Sequence, residues 1–253
     1  MGSTLFAPII FFFVSFVFSM LGRGGGTLYV PILFWLGMNL KTQAIPLSIL
    51  LGLTTSSTAT FTYGLKKEVD WKLALPFGAT MVAFAPLGAR INLGMSPESL
   101  ILIFAVFTIL ATIPLLKKNS KRTVKSFNLN KGMKVGTLGG SLLGFLAGLI
   151  GRGGGSFTVP LFYLTGQKVK NAAATSSFVV ACAGISSFIS HVAMHAKPSW
   201  GIWISCVIAV LAGSRLGSRF MIDRLSDRQL RIIFVSINLS VATMLLIKDV
   251  ILS

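Results

Sequence analysis

The sequence predicts an all-α polytopic membrane protein made of two inverted repeats, each a broken-helix hairpin followed by three transmembrane helices. Three observations predict it. Apolar runs near bilayer length recur along the chain, charged residues are scarce and mostly basic, and one glycine-rich motif occurs twice in similar apolar surroundings.

The 253 residues are 53% hydrophobic and 11% charged, whereas an average soluble domain is about 25% charged. A helix needs roughly 20 apolar residues to cross a bilayer. Runs approaching or reaching that length are Leu5–Leu21, Ala44–Tyr63, Leu73–Ile91, Leu100–Leu116, Val135–Ile150, Ala172–Val192, Ile202–Phe220 and Ile232–Ile247. Shorter apolar pieces, Leu28–Leu36 and Phe157–Leu164, follow the two glycine clusters. Little is left for a soluble domain. The boundaries expected are residues 1–116 and 132–253 for the repeats, with a basic linker at 117–131.

Lysine and arginine number 23 against 6 acids, a net charge of +17. Basic stripes also bind nucleic acid. Here the basic residues sit at the ends of apolar runs and in the linker, the distribution of cytoplasmic loops. The expected partner is therefore the lipid bilayer, with no nucleic acid. Cys182 and Cys206 lie inside apolar runs without metal-binding spacing, which reads as inert buried thiols. The N-terminal run has no preceding basic residue and belongs to the repeat, so it reads as a retained helix, not a signal peptide.

The repeat is carried by Gly22-Arg23-Gly24-Gly25-Gly26-Thr27-Leu28-Tyr29-Val30-Pro31, which recurs as Gly151-Arg152-Gly153-Gly154-Gly155-Ser156-Phe157-Thr158-Val159-Pro160. The register continues without a gap: Gly37 matches Gly166, Ser48 matches Ser177, Ser57 matches Ser186, Trp71 matches Trp200 and Arg90 matches Arg219. Each interior glycine costs a helix about 1 kcal/mol relative to alanine, so three in succession interrupt it. At membrane depth such a break survives only when buried in protein or lining a wet cavity.

Loop charge fixes the expected topology. Lys117, Lys118, Lys121, Arg122, Lys125, Lys131 and Lys134 place the stretch 117–134 in the cytoplasm of a multi-pass cell-membrane protein. If Val135–Leu164 crossed once, Arg224, Arg228 and Arg231 would lie outside, against the charge rule. If the segment turns back at its glycines, Lys168 and Lys170, that arginine loop, and Lys66, Lys67 and Lys72 all fall inside. Each half then holds one hairpin and three spans. An odd number of crossings inverts the second half, a transporter pattern with substrate bound near the midplane.

Arg23 and Arg152 are expected at that depth, where a charge costs at least about 2.5–3.5 kcal/mol on insertion scales. All six acids, Glu68, Asp70, Glu98, Asp223, Asp227 and Asp249, fall in loops or at span ends, so a bound anion is the expected partner of the arginines. Freed backbone N–H groups and the start of the following half-helix add positive potential, and the guanidinium fork suits an oxyanion. The competing reading is that the arginines brace the turn. The expected substrate-binding set is Gly22, Arg23, Gly24, Gly25, Gly26, Ser48, Ser57, Gly151, Arg152, Gly153, Gly154, Gly155, Ser177 and Ser186. The serines are included because the repeat retains them, although membrane serines equally cement helix pairs. Gly136, Gly140, Gly144 and Gly148 recur every four residues, a stripe for close helix packing. His191 and His195 stand one turn apart, but no third ligand is evident, so neither a metal nor a cofactor is expected.

The duplicated Gly-x-Gly-Gly-Gly with its following Val-Pro, and Lys-x-Ala-x-Ala-Thr-Ser at Lys170–Ser176, resembles the sulfite exporter TauE/SafE family of membrane permeases over essentially the whole chain. The resemblance implies transport of sulfur-containing anions such as sulfite, sulfonates or related small organic anions, with the glycine breaks as the working part. Arg23 and Arg152 depart from the apolar residue common at that motif position. The alternative reading is an anion channel or uniporter for another small oxyanion or carboxylate. No nucleophile–base pair or cofactor motif suggests an enzyme.

The topology is tested with single cysteines in a cysteine-free background and an impermeant thiol reagent. Lys168→Cys labels from the cytoplasmic side and Lys41→Cys from the outside; labelling of position 168 only from the outside refutes the inverted arrangement.

Overall fold

The computed structural model describes residues 6–92, 137–146, 155–192 and 199–246, with helical residues also at 106, 109, 110, 112, 113, 115 and 116. The regular elements among them are all helical. They are α1 (Ala7–Met20), α2 (Gly26–Trp35), a π-helical turn (Leu40–Ala44), α3 (Ile45–Leu65), α4 (Trp71–Asn92), α5 (Thr137–Leu146), α6 (Gly155–Leu164), α7 (Val169–Val192), α8 (Trp200–Arg224) and α9 (Asp227–Leu246). The linker expected at 117–131, and most of the run Leu100–Leu116, lie outside the described residues. The other expected runs each coincide with a helix.

Polarity is arranged inside out. Outward-facing positions carry large apolar side chains, among them Phe13, Phe61, Ile208 and Leu138. The interior holds Ser15, Ser19, Thr55, Thr62, Thr175, Ser176, Ser214, Ser218 and Asn238, all buried. Water would penalise such an exterior, whereas hydrocarbon solvates it. The buried hydroxyls then find partners on their own or neighbouring helices. Thr42–Leu65 and Trp200–Arg224 are long and apolar enough to cross a membrane on length and composition alone. Trp71 and Trp200 open their helices at exposed positions, as interface anchors do.

Helix pairing follows the repeat reciprocally. α3 packs along its counterpart α7; α3 also packs on α8, and α7 on α4. α1 lies against α8 and α5 against α4. These last two interfaces are closed by small residues. A Cβ on Gly213 or Gly217 of α8 would overlap the backbone of Phe12 or Phe16 in α1. A Cβ on Gly140 or Gly144 of α5 would overlap Phe77, Thr80 or Met81 of α4. The glycine stripe expected to serve packing does so at Gly140 and Gly144; Gly136 and Gly148 lie outside the described residues.

The ends of the molecule differ. At one end Ala7, Phe11, Tyr29, Leu33, Met38, Ala44, Leu47 and Trp203 form one apolar cluster, so α1 starts and α2 finishes in the same place. At the other end three loops are tied by polar contacts. The Asp70 N–H donates to Thr175 Oγ1 at 3.1 Å, and Gln167 Nε2 donates to Asp70 Oδ2 at 3.1 Å. Asn171 Nδ2 donates to Glu68 Oε2 at 2.8 Å, and the Lys170 N–H donates to Asp227 Oδ1 at 3.1 Å. Lys66 pairs with Asp223 at 3.6 Å, both half-exposed. α5 and α6 meet near this end, where a Cβ on Gly139 would sit 3.0 Å from Leu161 Cδ2. The loops carrying Lys66, Lys67, Lys168, Arg224 and Arg228 thus share one end.

Gly217 and Gly201 lie in the same helix with opposite surroundings. Gly217→Ala is expected to destabilise by about 1–3 kcal/mol through overpacking. Gly201 meets nothing within 4 Å, so Gly201→Ala is expected to be neutral or to gain up to about 1 kcal/mol from helix propensity. Melting of the detergent-solubilised variants checks the pair; equal effects would refute close α1–α8 contact.

Candidate functional site

The first break begins where α1 ends. Gly22 adopts a left-handed conformation, φ +66°, which glycine reaches without a Cβ penalty. Its N–H bonds the Ser19 carbonyl at 3.2 Å and the Arg23 N–H bonds that of Phe18 at 3.1 Å, a Schellman closure. A Cβ on Gly22 would overlap the Ala173 carbonyl of α7, so this backbone lies directly against the neighbouring helix. Gly25, φ +72°, turns the chain into α2.

The first break and the start of α6 converge on the middle of α7. A Cβ on Gly24 would lie 3.1 Å from Val180 Cγ1, and one on Gly155 would lie 3.1 Å from Val180 Cγ2. Gly155 would also approach the Arg23 Cα at 3.1 Å. Gly24 and Gly155 thus each pack on one methyl of the same buried valine. α2 and α6 both begin here, so the positive ends of two half-helices face one region.

Hydroxyls satisfy the freed backbone. Ser176 Oγ donates to the Gly22 carbonyl at 2.9 Å, and Thr158 Oγ1 bonds Ser176 Oγ. Ser176 thus joins the first break to the half-helix that follows the second. On the other side the Tyr29 hydroxyl bonds Thr55 Oγ1 at 2.8 Å, while Thr55 Oγ1 donates to the Leu51 carbonyl at 2.7 Å.

Arg23 is 3% exposed. Its Nη1 donates to Asn238 Oδ1 on α9, and Asn238 Nδ2 donates to Thr112 Oγ1 at 3.3 Å. The guanidinium carbon lies 5.6 Å from the Phe18 ring centroid and 5.7 Å from that of Phe234, within cation–π range. One partner of this buried cation is thus a neutral amide. Among the described residues no three His, Cys, Asp or Glu side chains come together for a metal.

Of the expected site residues, Gly22, Arg23, Gly24, Gly25 and Gly155 are brought together, and Gly26 opens α2 beside them. Gly151, Arg152, Gly153 and Gly154 lie outside the described residues, as do His195 and the side chain of His191. Ser48 and Ser177 are buried but bond carbonyls of their own helices, Ile45 at 2.8 Å and Ala173 at 3.1 Å. Ser57 is exposed on α3 and Ser186 is half-buried on α7. Sequence reasoning favoured Ser177 over its neighbour Ser176, whose repeat counterpart is Leu47, and passed over Asn238. A lone asparagine in an apolar run was the available signal for the latter.

Comparison with known proteins places this geometry in context. The family model described as Sulfite exporter TauE/SafE matches residues 7–245. The chain is 29% identical over 226 residues to the probable membrane transporter protein YunE of Bacillus subtilis, covering 79% of this chain and 82% of the relative. It is 26% identical over 244 residues to the probable membrane transporter protein MJ0441 of Methanocaldococcus jannaschii, covering 90% of each. No solved structure matches the chain.

Two neighbouring hydroxyls separate bracing from simple helix packing. Ser176→Ala leaves the buried Gly22 carbonyl without its donor and is expected to cost about 1–3 kcal/mol. Ser177→Ala removes only a bond within its own helix and is expected to cost less than about 0.5 kcal/mol. Thermal melting of the two variants checks this, and a reversed order would refute the bracing role of Ser176.

Proposed function

The chain belongs to the sulfite exporter TauE/SafE family of membrane transporters, and from that premise we propose that it is a secondary transporter of a small sulfur-containing anion. Sulfite or an organosulfonate is held near the bilayer midplane, between the Gly22–Gly26 and Gly151–Gly155 breaks. The observation that carries this reading is Arg23, a buried cation at the first break whose backbone lies against Gly155 at the start of α6. The starts of α2 and α6 add to the positive potential at the same point.

In this reading the halves are inverted hairpin-plus-three-span repeats, and Arg152 supplies the second arginine. Support comes from the reciprocal helix pairing and from α1 and α2 sharing the apolar end while α5 and α6 meet near the basic end. The basic end is cytoplasmic by the charge rule. Its polar ties between loops 66–70, 165–171 and 222–227 close that end and must part for the anion to leave on that side.

The test is a calorimetric and thermal-shift screen of the purified protein across sulfite, sulfate, thiosulfate, sulfoacetate, taurine and carboxylate analogues. It is repeated on Arg23→Ala and Arg152→Ala. Loss of one arginine is expected to weaken binding by roughly 2–3 kcal/mol, the range for a hydrogen bond to a charged group. Lysine should substitute poorly, because a point charge lacks the bidentate fork. Arginine variants that melt lower without anion, yet keep the full anion-induced shift, would leave only a bracing role.

A further inference from the structure

We propose that Arg215 and Arg219 on α8 hold the phosphodiester of an anionic phospholipid, in the leaflet at the basic end of the molecule. The inference rests on the chain spanning the bilayer and not on the anion reading of the glycine breaks.

α8 has two faces. Gly213 and Gly217 lie against the backbone of α1, and Ser214 Oγ donates to the Thr55 carbonyl of α3 at 2.7 Å. With about 3.6 residues per turn, Arg215 and Arg219 fall on the opposite side, and both are exposed. Ile204, Ile208 and Leu211 continue that exposed side toward Trp200. The two arginines therefore face the surroundings of the protein and not the space between its halves.

Their depth makes this costly. Arg224 ends α8 at the basic end and is exposed there. At about 1.5 Å per residue, Arg219 and Arg215 lie roughly 7 and 13 Å back along the helix from it. Half of the hydrocarbon core is about 15 Å thick, so both Cα atoms lie below the headgroups, where an ionised side chain is penalised. Snorkelling is the usual relief. The Cα–Cβ bond of a helical residue, however, leans toward the helix N-terminus. For α8 that is the Trp200 end, so these side chains start out directed away from the near headgroups.

Neither guanidinium has a hydrogen bond or ion pair among the described residues. Asp223, one turn beyond Arg219, pairs with Lys66 at 3.6 Å. Two like charges one turn apart repel each other, and an anion between them removes that repulsion. Two guanidinium forks at this spacing can converge on one phosphate. A lipid carries its phosphate to this boundary without leaving the leaflet. Its acyl chains then run along Leu211, Ile208 and Ile204. Charge followed by apolar surface along one helix face matches head followed by tail in a lipid of that leaflet. Lys66, Lys67, Arg224 and Arg228, exposed at the same end, favour a lipid of net negative charge over a zwitterionic one.

The experiment uses full-length protein, delipidated in detergent, with phosphatidylglycerol or phosphatidylcholine added in mixed micelles. Bound lipid is counted by native mass spectrometry, and melting temperature is read in parallel. Wild type is compared with the pair Arg215→Gln and Arg219→Gln, the pair Arg215→Lys and Arg219→Lys, and a control pair, Lys67→Gln and Lys72→Gln. Wild type is expected to prefer phosphatidylglycerol by about tenfold or more and to melt higher with it. The glutamine pair should bring the preference to within about twofold. The lysine pair, which keeps the charge without the fork, should fall between. The control pair removes the same charge from the same end and should keep the wild-type preference. A glutamine pair that keeps the preference, or a wild type that shows none, overturns the proposal. Equal stabilisation by inorganic phosphate would assign the arginines to a soluble anion and overturn it as well. A wild-type dimer that ignores lipid and dissociates in the glutamine pair would make this face a contact between copies. Should the glutamine pair not fold, Arg215→Gln and Arg219→Gln singly decide the question, each expected to lose part of the preference. Every readout is lipid binding, so the result stands whether or not the chain carries an anion.

Discussion

A helix broken inside hydrocarbon leaves backbone N–H and C=O groups that no solvent will satisfy, and the interior of this protein is arranged around that constraint. Each unmet group would cost several kcal/mol in an apolar medium. The first break meets it in three ways. The left-handed Gly22 closes α1 on itself through two backbone bonds. The Gly22 carbonyl takes its donor from Ser176 of the other repeat. Glycine at positions 22, 24 and 155 lets the backbone come close enough to α7 for such partners to reach. Any side chain at Gly22 would push α7 away and strand the carbonyl that Ser176 serves.

The same need for proximity accounts for the rest of the packing. Where lipid tails are as apolar as leucine, burial drives helix association weakly, and close contact with hydrogen bonding must supply the difference. The α1–α8 and α4–α5 interfaces achieve this with glycines set against backbone, aided by Ser15 and Ser19. Tyr63 crosses from α3 to donate to the Ser19 carbonyl at 2.7 Å, in the last turn before the break. The helix ends that flank the motif are thus held by the same contacts that hold the repeats together, and the site inherits its rigidity from the packing.

Much of this was legible in the sequence. Length and hydropathy give the helices, and the repeat gives their reciprocity. The loops carrying Lys66, Lys168 and Arg224 do share one end, as the charge rule requires. What sequence could not supply is the pairing of side chains that have no symmetric counterpart. Retention across the repeat singled out Ser48 and Ser177, yet both bond within their own helices, a role any helix can keep in duplicate. The hydroxyl that bridges the breaks is Ser176, opposite a leucine in the first half. Asn238 was passed over for the same reason, since its counterpart is Ile109. Contacts within one helix can be kept in both halves, whereas the bridges Ser176–Gly22 and Asn238–Arg23 join residues without a like counterpart.

The disposition of the acids bears on which ions this interior can host. Among the described residues, Glu68 and Asp70 lie in the α3–α4 loop, Asp223 in the last turn of α8 and Asp227 at the start of α9, all at the basic end. Each accepts a hydrogen bond or ion pair there, from Asn171, Gln167, Lys66 or the Lys170 N–H. Their negative charge is spent on holding that end together. The described charge at the meeting of the breaks is that of Arg23, reinforced by two half-helix N-termini. A cation would meet repulsion there, and the described residues offer no carboxylate to carry a proton through.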